Sequence, residues 1–139
     1  LGASEYLATV HQAIAGQPPI VNFELEKAVQ AACRDGIRRG WIQSAHDSAE
    51  GGIAIALAES CIASDLGAVI SLPDSETRID HLLFAEGGAR IIVSVKPDAV
   101  SDWEAYLQTQ LSHHWQKIGV VGGNSLTLSA NQLSLIEAT

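Results

Sequence analysis

The residues whose types and spacing best suit chemistry are His46-Asp47-Ser48-Ala49-Glu50-Gly51-Gly52. They fall where a strand-like run gives way to a helix-like one. Two adjacent glycines let a backbone approach a ligand closely, and the helix that follows points its first N–H groups at the same place. A carboxylate such as Asp47 suits a hard cation such as magnesium. The same residues also read as ordinary helix punctuation, with Ser48 or Asp47 as N-cap and the glycines tolerated in the first turn. The turn lacks the Gly-Lys-Ser/Thr ending of a phosphate-binding loop of the Walker type.

A second candidate is Phe84-Ala85-Glu86-Gly87-Gly88-Ala89-Arg90, where paired glycines lie beside a carboxylate and an arginine. Spacing alone favours a tight turn with solvated charges. A third, Gly119 to Asn124, reads as a strand running into a hairpin turn. The five histidines, His11, His46, His81, His113 and His114, have no partner at metal-ligand spacing on one helix face, which argues against zinc. His113 and His114 are expected on a helix end, pointing apart. Of the five, only His46 is near a glycine-rich turn, where a packed, hydrogen-bonded role competes with a functional one. No nucleophile elbow and no cysteine beside a base is evident, so no catalytic residue is assigned to this chain.

The elements that must position these turns follow from periodicity. Residues 1–21 read as a linker: an amphipathic stretch to Gly16, then Gln17-Pro18-Pro19, which breaks a helix. Residues 22–139 read as one domain. Asn22 is expected to cap a long helix whose buried face is Leu25, Ala28, Val29, Ala32, Cys33 and Ile37, with Gly40 as its stop. A strand over 41–45 leads into the first glycine turn. Beyond it Ile53, Leu57, Cys61 and Ile62 make a helix apolar over most of its circumference, as expected between layers. Strands over 68–72 and 90–95, a helical turn over 80–84, and a helix capped by Asp98 with Trp103, Leu107 and Leu111 on one face follow. A strand over 115–121 and a terminal hairpin, 126–128 with 133–136, close the chain. The order predicts an α+β sandwich, a mixed sheet with helices packed on it.

Composition narrows the partners. The net charge of -8, from 16 acidic and 8 basic residues, disfavours nucleic acid and anionic membrane surfaces. No apolar run approaches the roughly 20 residues of a bilayer span, and the N-terminus has no signal-peptide pattern. Two cysteines, both expected to face the core, make no disulfide framework and suit a cytoplasmic setting. A start at Leu1 and not Met is what a piece of a longer chain would show.

The stretch from Ser44 to Glu59, Ser-Ala-His-Asp-Ser-Ala-Glu-Gly-Gly-Ile-Ala-Ile-Ala-Leu-Ala-Glu, closely resembles a motif of the large subunits of phosphoribosylformylglycinamidine synthases. Ala49 stands where that motif usually has serine. Leu1-Gly2-Ala3-Ser4-Glu5-Tyr6-Leu7, Leu25-Glu26-Lys27 with Arg34, Leu83-Phe84-Ala85-Glu86 before Arg90-Ile91-Ile92-Val93-Ser94-Val95, and Ile118-Gly119-Val120-Val121-Gly122-Gly123 resemble further family segments in the same order. The resemblance covers nearly the whole chain.

The resemblance implies the C-terminal half of an aminoimidazole-ribonucleotide-synthase-like unit, within an ATP- and glutamine-dependent ligase of purine biosynthesis. In that family ATP phosphorylates the amide oxygen of formylglycinamide ribonucleotide, and ammonia displaces the phosphate to give the amidine. The domain is expected to wall the nucleotide cleft and to be inactive alone. The resemblance implies magnesium at Asp47, nucleotide contacts at Gly51 and Gly52, and ribonucleotide contacts at His46, Glu86, Gly87 and Gly88. Gly87 and Gly88 lack the polar side chains of the corresponding family loop, and Ala85 replaces its glycine. The implied partners are the remaining domains of the large subunit, a glutaminase subunit and a small accessory subunit; self-association through uncovered apolar surface is a further expectation. A related ATP-using synthase, of the kind making aminoimidazole ribonucleotide or selenophosphate or maturing hydrogenases, and a non-catalytic interaction domain stand as alternatives. The His46-Asp47 pair before the double glycine argues against those relatives.

Overall fold

The computed structural model describes residues 1–139. Helix α1 (Glu5–His11) precedes α2 (Phe23–Arg38), strand β1 (Ile42–Asp47) and helix α3 (Gly52–Ser64). Strand β2 (Ala68–Ser71), helix α4 (Ile79–Phe84) and strand β3 (Ile91–Val95) follow. A 3-10 turn (Pro97–Ala99) opens helix α5 (Val100–Leu111), and strands β4 (Gly119–Val121), β5 (Leu126–Ala130) and β6 (Leu133–Ala138) complete the chain. This is the α+β arrangement expected, but its strands divide into two sheets. One is the antiparallel pair β1-β3; the other is mixed, in the order β4-β2-β5-β6, with β2 and β5 parallel.

Two cores result, and β3 belongs to both. Ile91, Val93 and Val95 pack on one core with Val29 and Ala32 of α2, Ile42 of β1, and Trp103, Leu107 and Leu111 of α5. Ile92, on the other face of the same strand, packs on the second core. That core gathers Ala54 and Leu57 of α3, Leu83 of α4, and Ala68, Ile70, Leu126, Leu128 and Ala130 of the mixed sheet. The two-residue alternation of a strand is what lets one short segment serve two layers. Leu128 is fully buried at the centre of the second core.

Asn22 caps α2 as expected, its side chain accepting from the Leu25 N–H at 3.1 Å. The buried face, however, passes through Gly36 and not Ile37, which is 52% exposed. Gly36 is set against Ile42 and Trp103 so closely that a Cβ there would meet their side chains at 2.6 and 2.7 Å. The bulk of the indole claims the space an isoleucine would need. Asp98 does not cap α5: it lies inside the 3-10 turn, and Ala99 precedes the helix without a side-chain bond. The strand expected over 115–121 is confined to its last three residues. His113 and His114 lie beyond the end of α5 with ring centroids 4.1 Å apart, so they do not point away from each other. Cys33 and Cys61 are half-buried and unpaired, and burial raises both thiol pKa values. The chain reverses between β5 and β6 at Asn131 and Gln132, whose φ values of 50° and 62° are those of a two-residue hairpin turn.

Candidate functional site

The first glycine turn is built by the β1-β3 ladder below it. His46 pairs with Ile92 and Asp47 with Ile91, and the Ser48 N–H extends the ladder to the Arg90 carbonyl at 2.9 Å. The chain then leaves the sheet and enters α3 through Gly51 and Gly52, at φ 74° and 68°. Neither Asp47 nor Ser48 caps the helix: Gly51 is the N-cap residue and contributes no side-chain bond. Gly52 is required twice over. Its φ is left-handed, and a Cβ would come within 2.7–2.9 Å of the backbone of Leu83, Phe84 and Ala85. Its closeness serves the packing of α3 on α4.

The second glycine loop reaches the same place from the other side. Glu86 Oε1 accepts the Gly51 N–H at 3.0 Å and the Glu5 N–H at 2.7 Å. One carboxylate oxygen thus holds the start of α3 and the start of α1, where a negative charge is favoured by both helix dipoles. Tyr6 stacks on Phe84 at 4.8 Å and so fastens α1 beside the turn. The Gly52 N–H bonds to the Ala49 carbonyl at 3.2 Å, so neither glycine N–H is unpaired. Gly88 leaves room for the Glu26 carboxylate, which accepts the Ala89 N–H at 2.5 Å. A Cβ at Gly87 would meet Pro19 only at ordinary van der Waals distance. Arg90 donates to the Ala85 carbonyl and braces the loop from within.

Around the turn the His46 ring lies between two carboxylates, 3.8 Å from Asp47 Oδ1 and 3.2 Å from Glu59 Oε2. The Asp47 carboxylate is 74% exposed. The His46 ring sits between the Asp47 carbonyl, 2.7 Å from Nδ1, and Glu59 Oε2, 3.2 Å from Nε2. Ser48 is buried, and its Oγ has no hydrogen-bond partner. No three His, Cys, Asp or Glu side chains are grouped to hold a metal. Magnesium commonly takes one or two carboxylates, with phosphates and waters completing its shell. An exposed Asp47 fits one such ligand, with the rest supplied from outside these residues. Open hollows of about 360 and 350 Å³ lie elsewhere, one lined by Asp74, Ser75, Glu76, Asn131 and Gln132, the other by Leu1, Thr77, Arg78 and His81.

The structure therefore brings His46, Asp47, Gly51, Gly52 and Glu86 to one place. Gly87 and Gly88 lie beside it, toward Pro19 and Glu26. Glu59 had no assigned role from sequence reading. It lies on α3, 13 residues beyond His46, a separation at which neither strand nor helix periodicity signals contact. In the third candidate, Gly119 allows β4 to lie against Val69 and Ile70 of β2, while Gly122 and Gly123 face open space.

Fold and turn together define an AIR-synthase-type domain. The family model described as "AIR synthase related protein, C-terminal domain" matches residues 1–130, and the chain belongs to that family. Over its full length the chain is 61% identical to the phosphoribosylformylglycinamidine synthase subunit PurL of Cyanothece sp., and it covers 18% of that protein. The structure of PurLQS from Thermotoga maritima superposes on 99% of the chain with a TM-score of 0.73 at 16% identity, over 23% of the matched chain. T. maritima PurL complexed with ATP matches at a TM-score of 0.67 and 18% identity, over 81% of this chain and 20% of that one. The chain thus spans under a fifth of the length of the curated relative it matches.

Proposed function

We propose that this chain is the C-terminal AIR-synthase-related domain of the large subunit of a phosphoribosylformylglycinamidine synthase, and that it forms one wall of the nucleotide cleft. The observation that carries the reading is the full-length match to a PurL subunit, with the strand-to-helix turn that contains His46 and Asp47 placed at the protein surface. The whole enzyme would use ATP, magnesium and glutamine to convert the formyl amide of a glycinamide ribonucleotide to an amidine. Bound magnesium would neutralise phosphate charge. Asp47 would supply one of its carboxylate ligands, held at the end of β1. We assign Gly51 and Gly52 to the nucleotide side of the turn; a phosphate takes the Gly51 N–H only by displacing Glu86. His46, Glu86, Gly87 and Gly88 are assigned to the ribonucleotide side, and the chemical step to residues elsewhere in the subunit.

The division into a linker, 1–21, and a domain, 22–139, belongs to the same reading. So do the partners: the remaining domains of the large subunit, a glutaminase subunit and a small accessory subunit. Exposed Ile14, Ile20 and Phe23 in and just after the linker, with Ile62, Val69 and Val120 on the body, are the kind of surface that such neighbours cover. Left uncovered, the same surface would favour self-association of the isolated domain. Unpaired Cys33 and Cys61 fit a cytoplasmic enzyme. Calorimetric titration of the full-length subunit with magnesium and ADP tests the reading. Asp47→Asn is expected to weaken binding about tenfold or more without lowering the unfolding temperature. Unchanged affinity would remove Asp47 from the site.

A further inference from the structure

His46 has the side chain of this turn whose type best suits a catalytic or ligand-binding role, and protein oxygens face both of its ring nitrogens. Nδ1 faces the Asp47 carbonyl at 2.7 Å and Nε2 faces Glu59 Oε2 at 3.2 Å. A carbonyl and a carboxylate both accept, so whichever nitrogen carries the proton, the ring donates to one of the two oxygens and faces the other. The ring is a strut between a helix and a strand end. One end rests on Glu59, in the second turn of α3; the other faces the peptide carbonyl of Asp47, whose own carboxylate lies 3.8 Å from the same Nδ1 and is otherwise open to solvent.

We propose that Glu59 is a positioning residue. It seats the His46 ring, and through the ring the Asp47 backbone, so that the Asp47 carboxylate is presented at the mouth of α3 in one orientation. The inference rests on the reading of Asp47 as a magnesium ligand. Glu59 is itself 57% exposed, and so exposed a side-chain contact contributes little to folding. Its consequence falls on the geometry of the neighbouring carboxylate, as with the outer-shell partners that orient metal ligands elsewhere.

The test uses the full-length large subunit, titrated calorimetrically with magnesium chloride and ADP, and measured also for the magnesium dependence of kcat and KM. Glu59→Ala is expected to weaken magnesium-dependent ADP binding by about tenfold and raise the magnesium requirement, with kcat at saturating magnesium close to wild type. Two further variants separate geometry from charge. Glu59→Gln keeps the reach and an accepting oxygen and should restore affinity to within about twofold; Glu59→Asp keeps the charge, loses the reach, and should resemble the alanine variant. In a His46→Ala background, Glu59→Ala should add no further loss, because the two act in series. Rescue by aspartate and not by glutamine, or losses that multiply across the pair, would overturn the proposal. So would an unimpaired Glu59→Ala subunit in which Asp47→Asn is impaired. An unimpaired Asp47→Asn subunit would instead overturn the reading of the site on which the proposal stands.

Discussion

The tripeptide Glu-Gly-Gly occurs twice in this chain, at Glu50-Gly51-Gly52 and at Glu86-Gly87-Gly88, and the two copies do opposite work. In the first the glutamate is exposed and the glycines carry the structure, with φ values of 74° and 68° and a backbone pressed against the end of α4. In the second the glutamate carries the structure. Glu86 binds two backbone N–H groups from different segments, and neither glycine has a positive φ. The left-handed residue of that loop is Ala89, at φ 58°. Identical residues thus serve one turn through the absence of side chains and the other through the presence of one. What differs is the surroundings: the end of α4 lies against Gly52 in the first, while two helix starts converge on the second carboxylate.

The comparison is sharpest at Gly52. Gly52→Ala forces an L-residue into left-handed backbone, at about 1–2 kcal/mol, and drives its methyl group into backbone that cannot turn aside, at about 1–3 kcal/mol more. A total loss of about 3 kcal/mol in denaturant unfolding is expected; a loss below about 1 kcal/mol would mean that α3 and α4 are not so closely packed. Glu86→Ala comes next. It strands the Gly51 and Glu5 N–H groups, and because both are partly open to water a loss of about 2 kcal/mol is expected. Hydrogen exchange should then quicken at Gly51 and Glu5, and unchanged rates would show that the carboxylate does not tie the two helices.

Gly88→Ala should cost less, about 1 kcal/mol, since the group in the way is the flexible end of Glu26, which can swing aside by giving up its bond to the Ala89 N–H. Gly87→Ala should be neutral or stabilise by about 0.5 kcal/mol, because the added methyl meets Pro19 at 3.7 Å and the unfolded chain loses freedom. If Gly87→Ala proved as harmful as Gly52→Ala, the two turns would be alike after all, and the contrast would fail.

Much of the fold was legible beforehand where the signal is local. The cap at Asn22, the 3.6-residue repeat of α2 and the stop at Gly40 act within a turn or two of the chain. The errors arose where a distant residue decides. Ile37 satisfies the helical spacing, but Trp103 on another helix occupies its side and a glycine takes its place. Asp98 has the chemistry of a cap, yet the chain turns through 3-10 geometry before α5 begins. Strand alternation puts Ile92 on the opposite side from Ile91 and Val93, but nothing near it in the sequence says that this side will meet a second core.

The candidate site divides the same way. Residue type and order, together with the family resemblance, were sufficient to single out His46, Asp47, the two glycine pairs and Glu86, because a carboxylate before paired glycines between a strand and a helix is a property of local sequence. Only the tertiary structure decided that Glu86 would close on Gly51 and that Glu59 would meet His46. It also left the Asp47 carboxylate largely in water beside the His46 ring. Those outcomes depend on which surfaces meet when a strand pairs with β3 and a helix folds back across it. Such meetings are set by long-range packing, to which neither strand alternation nor helical periodicity refers.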